Sequence, residues 1–313
     1  MSGSRENLMS SRWQDGLPHP IAFVFSGGAG LGAIQVGMLQ ALATVKLQPD
    51  IVVGTSAGAL NGAMVAQQGL DRAVETLTAL WKSFTREDIF PGGRLAQARQ
   101  LLATRNSLFP NNQLSELMCR MMDVSDIEEL QLPFGALATE LDTFHGALFT
   151  SGDLRLALLA SAAIPGVFPP VEINGKMYVD GALTAHVPLR AAMAMGAASL
   201  VVLDAGEICH HRRTPRHVAD MFLATMQVAM RQRVQVEAPV VAQQLPVLYL
   251  PTPCPISTST LDFSESERLM REAAQMALGF LETAVVPTPG NMCGAPHFHD
   301  DEPMLQLLEM ISA

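Results

Sequence analysis

Ser56 stands in the pentad Gly54-Thr55-Ser56-Ala57-Gly58, a spacing that can carry a nucleophile. A short apolar run, Ile51 to Val53, comes before it, and a segment of helical character, Ala57 to Gln68, follows. A serine on a tight strand-to-helix turn projects its hydroxyl beyond the edge of the sheet. Glycine two positions to either side, Gly54 and Gly58, leaves room where strand and helix approach closely. The helix N-terminus then favours negative charge near the hydroxyl. The competing reading is a serine that only caps a helix in a glycine-rich turn.

A second loop, Ser26-Gly27-Gly28-Ala29-Gly30-Leu31-Gly32, can aim backbone N–H groups at an anion. It suits an oxyanion hole, in which one donor is typically worth about 3 kcal/mol. It also fits a dinucleotide fingerprint through Gly28-x-Gly30-x-x-Ala33. The next strand separates the two readings. A dinucleotide site wants an acid at the strand's end, whereas this strand ends in Gly54-Thr55-Ser56 and Asp50 lies before it.

A serine needs a base. Of the eight histidines, the late pair His297 and His299 fall in a segment rich in Pro and Gly, and His145 sits beside Gly146 in a hairpin-like turn. Asp180, in Tyr178-Val179-Asp180-Gly181-Ala182, closes a short apolar run. A carboxylate held there by backbone donors can take the serine proton directly. Asp180-Gly181 also reads as an ordinary turn pair, so on spacing alone the base stays open.

The elements that would position these groups alternate. Strands are predicted at Ile21–Phe25, Ile51–Val53, Phe134–Leu141, Ala147–Thr150, Lys176–Val179, Ser199–Leu203 and Val247–Leu250. Helices are predicted at Gly32–Val45, Ala57–Gln68, Asp71–Phe84, Leu95–Ala103, Leu114–Met122, Leu154–Ala163, Val218–Val236 and Ser264–Ala284, with a short closing one at Met304–Ile311. Strand–helix alternation at the start indicates a parallel α/β sheet. The expected organisation is a flexible segment 1–19, one catalytic domain 20–285, and a flexible tail 286–313. Met221, Phe222, Met226 and Met230 recur at helical spacing and are expected in the core.

Composition bounds the function. Hydrophobic residues make up 49% of the 313 and charged residues 16%, against about 25% in a typical domain, so a large core is available. The net charge of −10 and the lack of a dense Lys/Arg stripe argue against nucleic acid as a partner. The cluster His210, His211, Arg212, Arg213 and Arg216 reads as a solvated turn. Cys119, Cys209, Cys254 and Cys293 are scattered without metal-ligand spacing and are read as reduced thiols. With no signal-peptide pattern at the start and no apolar run of about 18 residues, a cytoplasmic protein is expected, peripheral on a membrane at most.

Four blocks in order, Ser26–Gly32, Gly54–Gly58, Ala160-Ser161-Ala162-Ala163-Ile164-Pro165 and Asp180-Gly181-Ala182, make the chain resemble the patatin-like phospholipases across roughly residues 20–205. The resemblance implies a three-layer α/β sandwich with a mainly parallel central sheet. It implies Ser56 as nucleophile, Asp180 as proton acceptor and the backbone of Gly27, Gly28 and Ala29 as oxyanion hole, with Gly54, Gly58 and Gly181 supporting the turns. The Ala160–Pro165 block and Gly166–Pro170 would wall the site. It implies hydrolysis of lipid or other acyl esters through an acyl-serine, with no metal or cofactor. Three positions depart from the family pattern: Ala29 replaces the third glycine, Leu31 a basic residue, and His186 an asparagine. They motivate the alternative of a catalytically weak lipid-binding or regulatory protein. A lid, if present, is expected within Phe90–Pro110.

Overall fold

The computed structural model describes residues 12–206, 218–256 and 260–297. Eight strands form one sheet: β1 (Ile21–Phe25), β2 (Ile51–Thr55), β3 (Phe134–Glu140), β4 (Gly146–Phe149), β5 (Val171–Ile173), β6 (Lys176–Asp180), β7 (Ser199–Leu203) and β8 (Val247–Tyr249). Their order is β5-β6-β3-β2-β1-β7-β8, with β4 also paired to β3. From β3 to β8 along this order every pairing is parallel, while β4, β5 and β6 run antiparallel to their partners.

Ten helices accompany the sheet among the described residues: α1 (Gly32–Thr44), α2 (Ala57–Gln68), α3 (Leu70–Ser83), α4 (Arg86–Ile89), α5 (Arg94–Thr104), α6 (Asn112–Met121), α7 (Leu154–Ser161), α8 (Leu189–Ala194), α9 (Val218–Ala242) and α10 (Ser266–Thr283). β1 shows why the molecule has three layers. It is wholly buried, and alternate side chains enter different cores because strand side chains alternate in direction. Ile21, Phe23 and Phe25 join the core under α1, α2, α3, α7 and α10. Ala22 and Val24 join a second core beneath α8 and the C-terminal half of α9. A strand covered on both faces must read as a continuous apolar run.

Most predicted elements are present within a residue or two, and the exceptions have local causes. β5 was not foreseen. Its hairpin to β6 turns at Asn174 and Gly175, both at positive φ, the Asn-Gly pair that favours a two-residue turn. α9 was expected to end at Val236, ahead of Pro239, yet it continues to Ala242. Proline removes one helical N–H, and burial of Ala238, Val241 and Ala242 against the sheet offsets that loss.

Both terminal expectations are corrected for their described parts. Residues 12–14 form a helical turn that buries Trp13 and Leu17 in the larger core. Beyond α10 the chain is held at the sheet edge: Tyr249 N–H donates to Cys293 O at 2.7 Å, and Cys293 N–H to Val247 O at 2.9 Å. The expectations for residues 1–11, Cys209, the His210–Arg216 cluster, His299 and the Met304–Ile311 helix lie outside the described residues. Of the residues expected in the core from α9, Met221 is about half exposed, Met226 and Met230 are only partly buried and join neither core, and the side chain of Phe222 lies outside the described residues. No helix among the described residues is long and apolar enough to cross a membrane.

Candidate active site

Parallel strands end together, and the loops that follow β1 and β2 meet at the carboxyl edge of the sheet. Ser56 occupies the turn between β2 and α2 with φ 55° and ψ −126°. A residue with a Cβ is strained there by about 1–3 kcal/mol. The flanking glycines are dictated by contact. A Cβ on Gly54 would lie 2.5 Å from Gly58 O, and one on Gly58 would lie 2.2 Å from Ser26 O. A side chain at Gly54 would force strand and helix apart within the turn, and one at Gly58 would push the turn away from the end of β1 and the loop after it.

Ser161 ties the turn to the sheet. Its hydroxyl accepts from the Ser56 N–H at 2.8 Å and donates to Leu137 O at 2.6 Å. The block around Ser161 was singled out in the sequence, but its bond to the serine turn was not, because 105 residues separate the two.

Asp180 arrives from the opposite direction. β6 runs antiparallel to β3 and pairs Asp180 with Ala138, which brings its end to the same rim as Ser56. Gly181 permits this, since a Cβ there would sit 2.1 Å from Leu137 O. The Asp180 N–H donates to Ala163 O at 3.0 Å, and its backbone carbonyl accepts from Thr139 Oγ1 at 2.9 Å. Asp180 Oδ1 accepts from the Ala182 N–H at 2.8 Å. The register brings Ser56 and this carboxyl close, since Thr55 pairs with Leu137 and Asp180 with the next residue, Ala138, and the Ser56 side chain lowers the carboxyl's pKa. Burial pushes the Asp180 carboxyl up from 3.8 to about 6, against the smaller opposing pull of the Ala182 and Ser56 hydrogen bonds.

The glycine loop is held by a buried polar network. Ser26 Oγ accepts from the Ala205 N–H at 2.8 Å and donates to Gly27 O at 2.7 Å. Gln35 Nε2 donates to Ser26 O at 2.8 Å, Asn61 Nδ2 to Gln35 Oε1 at 2.9 Å, and Trp81 Nε1 to Asn61 Oδ1 at 2.9 Å. The oxyanion expectation needs one correction. The Gly27 N–H is taken up by His186 O at 2.9 Å, so it faces away from any oxyanion. The N–H groups of Gly28 and Ala29 donate to no described protein acceptor. Ala29 sits at φ 46°, a left-handed conformation that costs a residue with a Cβ about 1–2 kcal/mol.

The departures seen in the sequence have places in the structure. Leu31 is buried in the core. The His186 ring nitrogens are buried, and neither has a hydrogen-bond partner among the described residues. Burial holds its imidazole below the ordinary range, opposed by Asp204, whose Oδ1 lies 3.9 Å away. The other Asp204 oxygen accepts from the Tyr249 hydroxyl. Asp50 lies at the amino end of β2 beside His19, far along the strand from the glycine loop, which removes the basis for a dinucleotide reading.

Ser56 opens on a narrow slot of about 60 Å³. Ala29, Ala57, Ile164 and Phe168 stand near its floor and sides, and Trp81, Phe84, Phe90 and Phe263 supply aromatic walls. The rings touch one another: Trp81 and Phe84 are 5.5 Å apart, Phe90 and Phe168 5.6 Å, Trp81 and Phe263 6.0 Å. Phe168 lies in the Gly166–Pro170 stretch expected to wall the site, whereas Trp81, Phe84, Phe90 and Phe263 were not singled out as walls, because they come from separate segments with no shared spacing.

A family model described as patatin-like phospholipase matches residues 23–193, more than half of the chain. The chain belongs to the patatin-like phospholipase family. It is 29% identical over 188 residues to patatin-like phospholipase domain-containing protein 7 of Rattus norvegicus. It is 26% identical over 198 residues to neuropathy target esterase sws of Drosophila melanogaster. These matches cover 59% and 63% of this chain but only 14% and 13% of the relatives. The chain therefore corresponds to a small part of each of these longer relatives. Human GIVD cytosolic phospholipase A2 superposes with a TM-score of 0.44 and 12% identity over 90% of this chain and 63% of its own, a similarity too loose to add to the sheet topology described above.

Proposed function

We propose that this patatin-like chain hydrolyses carboxylic esters of lipids through an acyl-serine on Ser56, with Asp180 as the base. The observation that carries the reading is the sheet register, which sets the Ser56 turn beside the buried Asp180 carboxyl, with Ser56 lining an apolar slot. Asp180 takes the hydroxyl proton as Ser56 Oγ attacks the ester carbonyl. The negative oxygen is received by the Gly28 and Ala29 N–H groups and by the N-terminus of α2. The ester C–O bond then breaks, and the alcohol leaves with the proton from Asp180. Water gives its proton to Asp180 and attacks the acyl-serine. The fatty acid departs as the proton returns to Ser56 Oγ. No step calls for a metal.

Lipid as the substrate class is supported by the family and by the lining of the slot, which is almost wholly apolar. The departure at Leu31 leaves the loop without a side-chain charge, so oxyanion stabilisation rests on backbone dipoles. Ser56→Ala should abolish hydrolysis of a short p-nitrophenyl ester and labelling by a fluorophosphonate, with the circular dichroism spectrum unchanged. Undiminished turnover by that variant would refute the assignment.

A further inference from the structure

Helix α5 is built inside out. In α3 the apolar side chains face inward: Leu70, Ala73, Leu77 and Trp81 are all buried. In α5 no described residue is buried. Leu95 is 86% exposed, Leu102 81% and Leu101 44%, whereas Gln97 and Gln100 are half-buried. Leu95 and Leu102 are seven positions apart and so share one face of the helix. Along a neighbouring side runs a groove of about 540 Å³ bordered by Ala96, Arg99, Gln100, Ala103 and Leu108. The helix therefore rests lightly on the body and turns its leucines to solvent.

Its charge is equally distinctive. The chain carries a net charge of −10, yet from residue 89 to residue 115 there is no Asp or Glu and there are three arginines, Arg94, Arg99 and Arg105. Arg99 and Arg105 are exposed. A cationic stretch bearing exposed leucines, on an otherwise acidic protein, is complementary to an anionic bilayer. The segment is also tied to the slot. Phe90 lines the slot and packs on Phe109, with ring centroids 5.4 Å apart. Leu114 and Leu117, in the next helix, line it as well.

We infer that α5 is an interfacial anchor, which seats the protein on an anionic lipid surface by inserting Leu95, Leu101 and Leu102 beside the mouth of the Ser56 slot. The inference deepens the proposed lipid hydrolysis and rests on it for its purpose, but surface binding can be measured without turnover. The Ser56→Ala chain is pelleted with phosphatidylcholine vesicles, with or without phosphatidylglycerol. It should pellet with the anionic vesicles, and higher salt should release it. Adding Leu95→Asp and Leu102→Asp should weaken pelleting about ten-fold or more. In the chain with Ser56 intact, the same two changes should leave hydrolysis of a soluble ester untouched and depress hydrolysis of vesicle lipid. Because both leucines are exposed, the thermal unfolding midpoint should hold. Equal pelleting by the double variant, or none by the parent on anionic vesicles, overturns the inference. So does self-association of the parent that the aspartates abolish in the absence of vesicle binding, since the face would then serve a second copy of the chain. Failure of soluble ester hydrolysis by the parent counts against the dyad and leaves the pelleting result to stand alone.

Discussion

Replacing Asp180 by Asn should make the protein more stable and nearly inactive. Asp180 is 4% exposed, and burial raises its carboxyl from 3.8 to about 6. The gap between those values corresponds to a cost of about 3 kcal/mol for holding the ionised form in the fold. Between pH 3.8 and about 6 the folded chain keeps this proton and the unfolded chain has lost it, so this contribution to stability falls as pH rises. Above about 6 the full cost is present, and below 3.8 it is absent. Asparagine has nearly the same shape, can still accept the Ala182 N–H through Oδ1, and does not titrate. The stability advantage of the variant should therefore widen by about 3 kcal/mol across that interval and then level off. For 313 residues, with an unfolding entropy of about 2.1 cal/mol/K per residue, this is a rise of about 5 °C in melting temperature near pH 7 relative to pH 4. Ester turnover should fall by about 10²–10⁴-fold, and the wild-type rate should climb with pH through about 6 as the base ionises. Differential scanning calorimetry from pH 4 to 8, beside p-nitrophenyl ester kinetics, reads both effects. A melting difference independent of pH would show that Asp180 is not a costly buried charge. Retained turnover would remove it as the base.

Other expectations follow from single contacts. Ser161→Ala orphans the Ser56 N–H and Leu137 O, and should cost about 2–4 kcal/mol in urea unfolding while lowering kcat more than it raises KM. A variant as stable and active as the parent would mean the serine turn does not depend on this tether. Gly58→Ala drives a Cβ to 2.2 Å from Ser26 O and should destabilise by about 3 kcal/mol or more. By contrast, Gly279→Ala in α10, with nothing within 4 Å, should stabilise by up to about 1 kcal/mol. Equal melting temperatures for the two glycine variants would contradict the packing argument.

The serine turn and the Asp-Gly turn were legible because their characteristic residue types stand close together in the chain. Gly54 is imposed by its own turn, whereas Gly58 and Gly181 make room for Ser26 O and Leu137 O from distant segments; all three stand within two residues of the serine or the acid, so the pattern of residue types is read in short stretches of sequence. Gly27 was misjudged as a donor for the opposite reason. Its N–H is taken by His186 O, a carbonyl whose position depends on the path of the chain after β6. The tail was misjudged likewise: a Pro- and Gly-rich composition hides the pairing of Cys293 with the edge of β8. The inverted α5 was predicted as a helix, but its solvent-facing leucines were not foreseen, since periodicity names a face without saying what covers it.

The amino-acid sequence alone determined the strand and helix alternation, the strained serine turn, the glycine loop and the acid that closes β6. Each depends on propensity, glycine placement or the burial period of neighbouring residues. Only the tertiary structure decided that β6 runs antiparallel to β3 and so delivers Asp180 to the rim shared with Ser56. Only it decided which loop amides stay free and which aromatic rings close the slot. The physical reason is range. A turn is specified by steric limits over a few residues, whereas the meeting of two side chains 124 positions apart depends on how the whole sheet is stacked and covered.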